Sequence, residues 1–464
     1  MKSTIYKGNF ILLMSIWIFA SCESFVEVEI PNDKMVTETV FASEETAQSA
    51  MQGIYYELFN TGFSGGTTNS ITVLGGLSAD ILEPISTNNT TLIQFQENEI
   101  FTENSGVLGI WNSAYNIIYL VNNLLEGIEN SEGLSDSFKH RLEGEARFIR
   151  AFTYFYLVNL YENIPLVLST DYDENSLISQ APESEIYEQI VLDLNRAREI
   201  LTKDYLRDER FYANYYAATA LMARVKLYQE QYSEAAILSS EVIDANDLYD
   251  LVNLDEVFLK NSQEAIWQIS PAGRGNILTW TAEGSTFIGS SFSSIKLRPE
   301  FVGSFSQEDL RREKWIGSFL SETRDFDYVY KYKDRSSIDN ITEYGMVLRL
   351  AEQYLIRAEA RIGMGEFWAA IEDIDRIRER AGLNLISEAN PDISPQELQN
   401  LIIEERRREL FAEWGHRWLD LKRLNIASEV LSSKSSGWEE TDVLYPIPAQ
   451  ERSKNPNLEQ NQGY

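Results

Sequence analysis

The residues that build most cofactor sites are scarce in this 464-residue sequence, which contains one cysteine, Cys22, and two histidines, His140 and His416. One cysteine excludes an intrachain disulfide and a cysteine metal cluster. The two histidines lie far apart, and no HExxH motif occurs, so a zinc site has no support. The sequence also lacks a phosphate-cradling GxxxxGK[ST] loop. We therefore expect no cofactor and no metal site.

Basic residues are also few, because 40 Lys and Arg face 72 Asp and Glu and the formal net charge is −32. Nucleic-acid binding needs clustered positive charge, so this balance argues against a nucleic-acid partner. A hydrophobic fraction of 44% argues against disorder and allows a sizeable core. The 24 tyrosines and 22 phenylalanines are numerous enough to line a binding surface as well.

Long apolar runs are absent after the N-terminal segment, where Lys2 and Lys7 precede an apolar stretch at residues 10–20. The stretch is too short for a stable transmembrane anchor and has the anatomy of an export signal. Phe-Ala-Ser-Cys at residues 19–22 resembles a bacterial lipobox, so we predict a signal peptide at residues 1–21 and a lipid on Cys22. The alternative is a signal peptide followed by an incidental buried cysteine.

A lipidated Cys22 would tether the protein to a membrane through its lipid anchor only. Two or three acyl chains on this cysteine would make the attachment stable. The acidic residues after it would form a spacer at residues 22–40. We expect the folded body to span residues 41–464, with Ser43 capping its first helix.

A helical hairpin is predicted at residues 348–383. Its first half carries an apolar stripe at helical spacing, formed by Leu348, Ala351, Leu355, Ala358 and Ile362. Its second half carries another, formed by Phe367, Ala370, Ile371, Ile374 and Ile377. Gly363 and Gly365 between the halves allow a tight reversal. Small residues at the facing positions and aromatic residues after the turn are typical of tetratricopeptide repeats.

A second copy of this pattern begins at Asn214, at an offset of 135 residues that places Ala223 against Ala358 and Tyr232 against Phe367. Spaced repetition predicts a superhelical scaffold, which is more often a binding protein than an enzyme. Three long amphipathic segments between residues 109 and 201 predict further helices. Residues 62–106, rich in Gly, Ser, Thr and Asn, predict loops with short strands.

Helical periodicity lapses at residues 261–344, which we interpret as a loop-rich insertion in a helical scaffold of residues 41–260 and 345–464. Structured loops on a rigid scaffold often carry recognition residues. Trp280, Phe287 and Phe292 are therefore candidate ligand contacts. The alternative for each is a place in a small local core. Phe63, Asn69 and Asp80 in the polar segment before residue 106 are further candidates.

Dense charge at residues 404–423, in EERRRELFAEWGHRWLDLKR, invites a catalytic interpretation. We favour a structural network of paired charges that joins this helix to the scaffold. Residues 62–66 fit the GxSxG pattern of serine hydrolases, but a predicted helix precedes them where a strand is required. A glycosidase needs two carboxylates at a set separation, and no such pair can be identified from sequence among 72 acidic residues. We predict no enzymatic activity.

The segments LRLAEQYLIRAEARIGMGEFWAAIEDIDRIRERAGL, IIEERRRELFAEWGHRWLDLKR and LYPIPAQERSKNPNLEQNQGY closely resemble the SusD/RagB family of Bacteroidetes outer-membrane lipoproteins. The likeness extends to GEARFIRAFTYFYLVNLYENIPLV and to VFASEETAQSAMQGIYYEL, and so covers nearly the whole mature chain. Residues 413–417 read Glu-Trp-Gly-His-Arg, in which Trp414 departs from the family's usual Glu-Gly before His-Arg. The resemblance implies a mainly α fold of tetratricopeptide-like helical pairs with a loop-rich ligand-binding face.

The resemblance also implies a function, namely capture of oligosaccharides at the cell surface for a partner SusC-like TonB-dependent transporter. Localisation would be the outer membrane, lipid-anchored and facing outwards. A peptide-capturing lipoprotein of the RagB type is the alternative, and a surface hydrolase is the third hypothesis. Aromatic platforms edged by Asn, Asp and Arg favour sugars, whereas a peptide would need pockets or a strand edge.

Overall fold

The computed structural model describes residues 37–271, 279–336 and 340–464. The predicted signal peptide, Cys22 and most of the predicted spacer lie outside the described residues. The spacer was expected to reach residue 40, and its last four residues form a short helix, Thr37–Val40, that contacts the helices after it. Ser43 caps the next helix as predicted, since its Oγ accepts a hydrogen bond from the Thr46 backbone N–H at 3.3 Å.

Helices account for 54% of the described residues, so the predicted mainly α fold class is confirmed. The first half of the chain forms α1 Thr37–Val40, α2 Glu44–Asn60, α3 Ile71–Ser78, α4 Thr90–Glu97, α5 Ser105–Glu129, α6 Asp136–Tyr161, α7 Tyr172–Asn175, α8 Glu183–Ile200, α9 Tyr215–Tyr228 and α10 Tyr232–Ile243. The second half forms α11 Ala282–Phe287, α12 Pro299–Val302, α13 Leu310–Trp315, α14 Leu350–Gly363, α15 Phe367–Arg380, α16 Ile386–Ala389, α17 Pro395–Glu409, α18 His416–Arg423, α19 Ala427–Leu431 and α20 Ala449–Lys454.

The long helices pack in pairs, α2 with α5, α6 with α8, α9 with α10 and α14 with α15. Each pair contacts the next through α5 with α6, α8 with α9 and α10 with α14, which produces a continuous row. The two hairpins recognised from the repeated pattern are α9–α10 and α14–α15. This row is the superhelical scaffold that the repeat predicted.

The turn of the second hairpin shows why it contains two glycines. Gly365 adopts φ +78°, a conformation that glycine tolerates without strain. A Cβ on Gly363 would lie 2.6 Å from the ring of Tyr232, so this glycine lets α14 approach the preceding hairpin. The predicted start of the hairpin at Leu348 was wrong, because Leu348 lies in a strand and α14 begins at Leu350.

Short antiparallel strand pairs interrupt the helices. The strands are β1 Leu82–Pro84, β2 Ile164–Pro165, β3 Gln180–Ala181, β4 Ala265–Ile269, β5 Ile295–Leu297, β6 Ile316–Leu320, β7 Asp325–Val329 and β8 Gly345–Arg349. β1 pairs with β5, β2 with β3, β4 with β8, and β6 with β7. β4 and β8 are fully buried and bracket the insertion, so they fasten both of its ends to the scaffold.

Residues 62–106 contain more helix than we expected, because α3 and α4 lie in this segment. Every residue of α3 is buried, so its apolar residues show no one-sided pattern from which a helix could be recognised. A Cβ on Gly75 would lie 3.0 Å from the Cα of Gly415, so its glycine allows α3 to pack closely against the start of α18.

The charges of residues 404–423 form a buried ion-pair network, as predicted. We call its centre the arginine network, which consists of Arg311, Lys331, Arg349 and Arg380 with Glu264, Glu405, Glu409 and Glu413. Arg349 contacts three carboxylates, those of Glu264 at 2.9 Å, Glu409 at 2.6 Å and Glu413 at 2.8 Å. The network therefore ties α17 and the turn after it to Glu264 just before β4, to β8 and to α15.

Candidate functional site

Three loop segments meet at one surface, which we call the loop face. They are residues 85–89 after β1, residues 288–294 before β5, and residues 321–324 at the tip of the β6–β7 hairpin. β1 pairs with β5 in register, and the Ile85 N–H donates to the Ser294 carbonyl at 2.8 Å, which brings the first two segments together. Arg324 donates to the Ser291 carbonyl at 2.9 Å and joins the hairpin tip to them.

Phe292 is the most exposed large hydrophobic residue in the described part of the chain, with 90% of its surface accessible. A serine turn holds its backbone. The Phe292 N–H donates to Ser290 Oγ at 3.2 Å, and the Ser290 N–H donates to Ser293 Oγ at 3.0 Å. Arg335 also donates to Ser290 Oγ, at 3.0 Å. The ring is therefore presented to solvent on a backbone fixed by several hydrogen bonds.

The β6–β7 hairpin forms a support beneath this turn. A Cβ on Gly289 would lie 2.4 Å from the ring of Tyr328, so the loop rests directly on that ring and only glycine fits. Phe319 and Phe326 face each other across the hairpin with ring centroids 5.2 Å apart. Aromatic cross-strand pairs of this kind stabilise a two-stranded hairpin that is otherwise marginal.

The polar side of the loop face comes from the Ser-Thr-Asn run of residues 86–89, which is exposed. Asn89 Oδ1 is engaged as the cap of α4, where it accepts from the Leu92 N–H at 3.3 Å. The Asn88 backbone is held by Ser86 Oγ at 3.2 Å, and its exposed side chain faces solvent. Nearby, Lys296 pairs with Glu83 at 2.9 Å, so this pair adds no unbalanced charge.

Two of the predicted ligand contacts are core residues. Phe287 is 3% exposed and belongs to the main hydrophobic cluster. Phe63 is 0% exposed, and its ring packs against Phe152, Tyr156 and Trp414 at centroid distances of 6.1, 5.7 and 6.3 Å. Neither ring has surface to offer a ligand, which corrects our expectation for both positions. The glycine- and serine-rich sequence around Phe63 and Phe287 gave no sign that other parts of the fold cover both rings.

Asp80 is a scaffold residue in this structure. Arg417 contacts it at 2.8 Å and Arg407 contacts it at 2.8 Å. Burial alone would raise the pKa of Asp80, but the two guanidinium groups hold it below its ordinary value. An ionised, doubly paired carboxylate fits a structural link between α18, α17 and the end of α3. The structure therefore does not bring Asp80 to the loop face.

Asn69 and Trp280 have different surroundings. Asn69 is exposed in the turn before α3 and makes no contact that places it among the three segments. Trp280 is half-buried and directly precedes Thr281, whose Oγ1 caps α11 by accepting from the Gly284 N–H at 3.0 Å. Of the six predicted ligand contacts, Phe292 alone lies in the loop face. Asn88 and Arg324 were missed, although the run of small polar residues after Pro84 was a usable signal.

Catalytic geometry is not found at the GxSxG sequence. Ser64 Oγ donates to the Leu58 carbonyl at 2.5 Å, and the loop follows a helix. This arrangement does not fit a nucleophile elbow, which needs a strand before the serine. Among the described residues, no group of three or more His, Cys, Asp or Glu side chains could hold a metal ion. No helix in that part of the chain is long and apolar enough to cross a membrane.

The row of helical pairs places the protein in the class of helical-repeat scaffolds, and loops fastened to such scaffolds often carry recognition residues. The SusD family profile matches residues 193–464, and a profile described as starch-binding and associating with the outer membrane matches residues 25–227. The chain belongs to the SusD family, as the sequence motifs predicted.

Relatives and solved structures agree with this assignment. SusD-like protein P25 of Formosa agariphila is 26% identical over 94% of this chain and 95% of its own length. The starch-binding protein SusD of Bacteroides thetaiotaomicron is 25% identical over 73% of this chain and 75% of its own. A SusD superfamily structure from Bacteroides vulgatus has a TM-score of 0.80 at 20% identity, covering 91% of this chain and 99% of that one. A laminarin-binding SusD-like protein has a TM-score of 0.74 at 26% identity, covering 91% and 100%.

Proposed function

We propose that the protein is a cell-surface lipoprotein that captures oligosaccharides on the loop face and delivers them to a SusC-like TonB-dependent transporter in the outer membrane. The observation that carries the proposal is the 90% exposed ring of Phe292 on a hydrogen-bonded turn. A fixed and accessible aromatic ring can stack on the apolar face of a pyranose ring, which supplies the apolar part of sugar recognition.

The groups around the ring support a sugar as the ligand. Asn88 supplies a carboxamide, which can both donate to and accept from a hydroxyl group. Arg324 uses one of its nitrogens to hold the loop and has further N–H groups for a ligand. The starch-binding and laminarin-binding names of the relatives point to the same class of ligand. Stacking and hydroxyl recognition together need no catalytic group, so the role is binding.

Calorimetry of the protein without its lipid, titrated with a panel of glycans, tests the capture step. We expect at least one oligosaccharide of the panel to bind, with one molecule held at the loop face. The bound oligosaccharide should remain intact after prolonged incubation. Turnover of the ligand would contradict the binding role. Binding of peptides with no response to any glycan would move the assignment to a peptide-capturing lipoprotein.

The anchor and the partner need a cellular experiment. Cys22→Ala removes the acylation site, so we expect the precursor to remain uncleaved or to leave the outer-membrane fraction. The wild-type protein should co-purify from gently solubilised outer membranes with a TonB-dependent transporter. Recovery of the wild-type protein without a transporter would count against delivery, and unchanged retention of the variant would count against lipidation.

A further inference from the structure

A second polar and aromatic groove lies away from the three segments of the loop face. It runs between α5, residues 165–178 and the C-terminal segment formed by α20 and the residues after it, and it has a volume of about 720 Å³. We call it the α5 groove. This volume is in the range of small-molecule and cofactor pockets, which is about 300–1,000 Å³.

The walls of the α5 groove are fastened to one another. Asn122 of α5 donates to the Val167 carbonyl at 3.0 Å, and Glu126 accepts from the Thr170 N–H at 2.7 Å. On the other side, Asn455 donates to the Ile178 carbonyl at 2.8 Å. These bonds tie the middle loop to both neighbours, so the groove is formed before any ligand arrives. A preformed site avoids much of the entropy cost of ordering on binding.

Aromatic rings line the groove at fixed positions. Tyr115 is held at its tip, where its hydroxyl donates to the Pro165 carbonyl at 2.9 Å, and at its base by Trp111 at a centroid distance of 4.9 Å. Tyr115 as a whole is half-buried and lines the groove. Tyr172, on the short helix α7, is 80% exposed. The groove therefore has one rigid ring in its wall and a second, accessible ring at its edge.

Carboxamides complete the lining. Asn112 and Asn116 lie beside the rings on α5 and are both exposed. Asn116 uses its amide nitrogen to bind Glu57 at 3.0 Å, which leaves its oxygen as an acceptor for a ligand. The two charged residues of the lining, Glu451 and Lys454, pair with each other at 2.7 Å. The groove consequently has no unbalanced charge with which to hold an anion.

We propose that the α5 groove is a second binding site for neutral oligosaccharides, in which Tyr115 and Tyr172 stack on sugar rings and Asn112 and Asn116 bond to their hydroxyls. The proposal shares only the ligand class with the proposed function and does not depend on Phe292. Two sites on one tethered protein would bind a polysaccharide more tightly than either alone, because the second contact becomes intramolecular.

The test is calorimetry of the protein without its lipid, with a panel of neutral hexasaccharides that includes laminarihexaose and maltohexaose. The groove variant is Tyr172→Ala with Asn112→Ala, two exposed changes that should preserve the melting temperature. Phe292→Ala reports on the loop face. Trp368→Ala, which removes a 54% exposed ring from α15, is the control.

We expect at least one saccharide of the panel to bind the Phe292→Ala variant. Adding the two groove changes to that variant should weaken this binding at least about tenfold, which corresponds to about 1.4 kcal/mol. The proposal is overturned if Phe292→Ala abolishes all binding, if the groove variant changes nothing, or if the groove takes peptides but no saccharide. If the groove variant weakens binding and Phe292→Ala does not, the α5 groove is supported and the proposed function of the loop face is contradicted.

Discussion

The arginine network and the loop face use polar chemistry in opposite ways. In the network, charged groups are buried and its arginines each meet two or more carboxylates, as Arg349 does with Glu264, Glu409 and Glu413. In the loop face, hydrogen bonds fix the backbone and leave the ring of Phe292 in solvent. The comparison separates residues that hold the fold together from residues that remain available to a ligand.

The difference has an energetic origin. A buried charge must keep its partners, because removing one partner leaves an uncompensated charge that is costly in a low-dielectric interior. An exposed ring has no such partners to lose, so it can be changed with little effect on the fold. We therefore expect changes in the network to alter stability and changes in the loop face to alter binding. The predictions below run from the largest expected effect on the free energy of unfolding to the smallest.

Arg349→Met should have the largest effect, because it leaves three buried carboxylates without their shared cation. We expect a loss of about 3–5 kcal/mol in the free energy of unfolding. Urea denaturation of the protein without its lipid measures the change. Arg376→Met is a matched control, since Arg376 is exposed and its ion pair with Glu379, at 3.4 Å, lies on the surface. We expect a change of about 0–1 kcal/mol. Equal losses in the two variants would contradict the role of the network.

Acid should weaken the same region. Burial alone would raise the pKa values of Glu409 and Glu413, but Arg349 and the neighbouring cations hold both below the ordinary value of 4.5. A carboxyl group with a lowered pKa in the folded state stabilises the fold above its unfolded pKa, and that contribution is lost as the pH falls further. Stability measured in urea should therefore fall steeply below pH 4.5. A flat profile down to about pH 3 would contradict this linkage.

Trp280→Ala should have an intermediate effect, because the ring is half-buried beside the cap of α11. Full burial of a large aromatic ring is worth about 3–5 kcal/mol on truncation, so we expect a loss of about 1–2 kcal/mol. Because Trp280 lies outside the loop face, we expect its loss to leave the glycan affinity of the loop face unchanged. Denaturation and calorimetry on the same sample measure the two quantities separately. Lost affinity with unchanged stability would contradict a packing role and make Trp280 a ligand contact.

The helical row could be predicted from the sequence because its signals are local and repeated. The stripes of α14 and α15 and the matching small residues of α9 and α10 recur at a fixed offset. Ser394 and Glu397 form a capping box at the start of α17, which is also a local signal. The sequence predicted that residues 404–423 form a network of paired charges, because such dense opposite charges on one segment need partners. Glu264 and the members on β8 and α13 could not be predicted, because they are brought together only by the tertiary fold.

The candidate site was harder to predict for a related reason. Phe63, Phe287 and Phe292 all occur among glycine, serine and threonine residues, yet two are buried and one is exposed. Local composition does not state which neighbouring element covers a ring. The pairing of β1 with β5 decides that residues 85–89 lie beside Phe292, and strands of three residues leave almost no periodic signal. Leu348 shows the same limit, since one apolar position fitted both a helix stripe and a strand.

Phe292→Ala tests the central claim most directly, that the loop face binds sugar while the scaffold carries stability. The variant and wild type, each without its lipid, are titrated in a calorimeter with the saccharide that binds wild type at the loop face, with Trp368→Ala as the control for loss of an exposed ring. We predict a loss of about 1–3 kcal/mol in the loop-face binding free energy, with an unchanged free energy of unfolding, and no change in either quantity for the control. Unchanged affinity in Phe292→Ala, or a fall in its stability that accounts for the lost binding, would contradict the account.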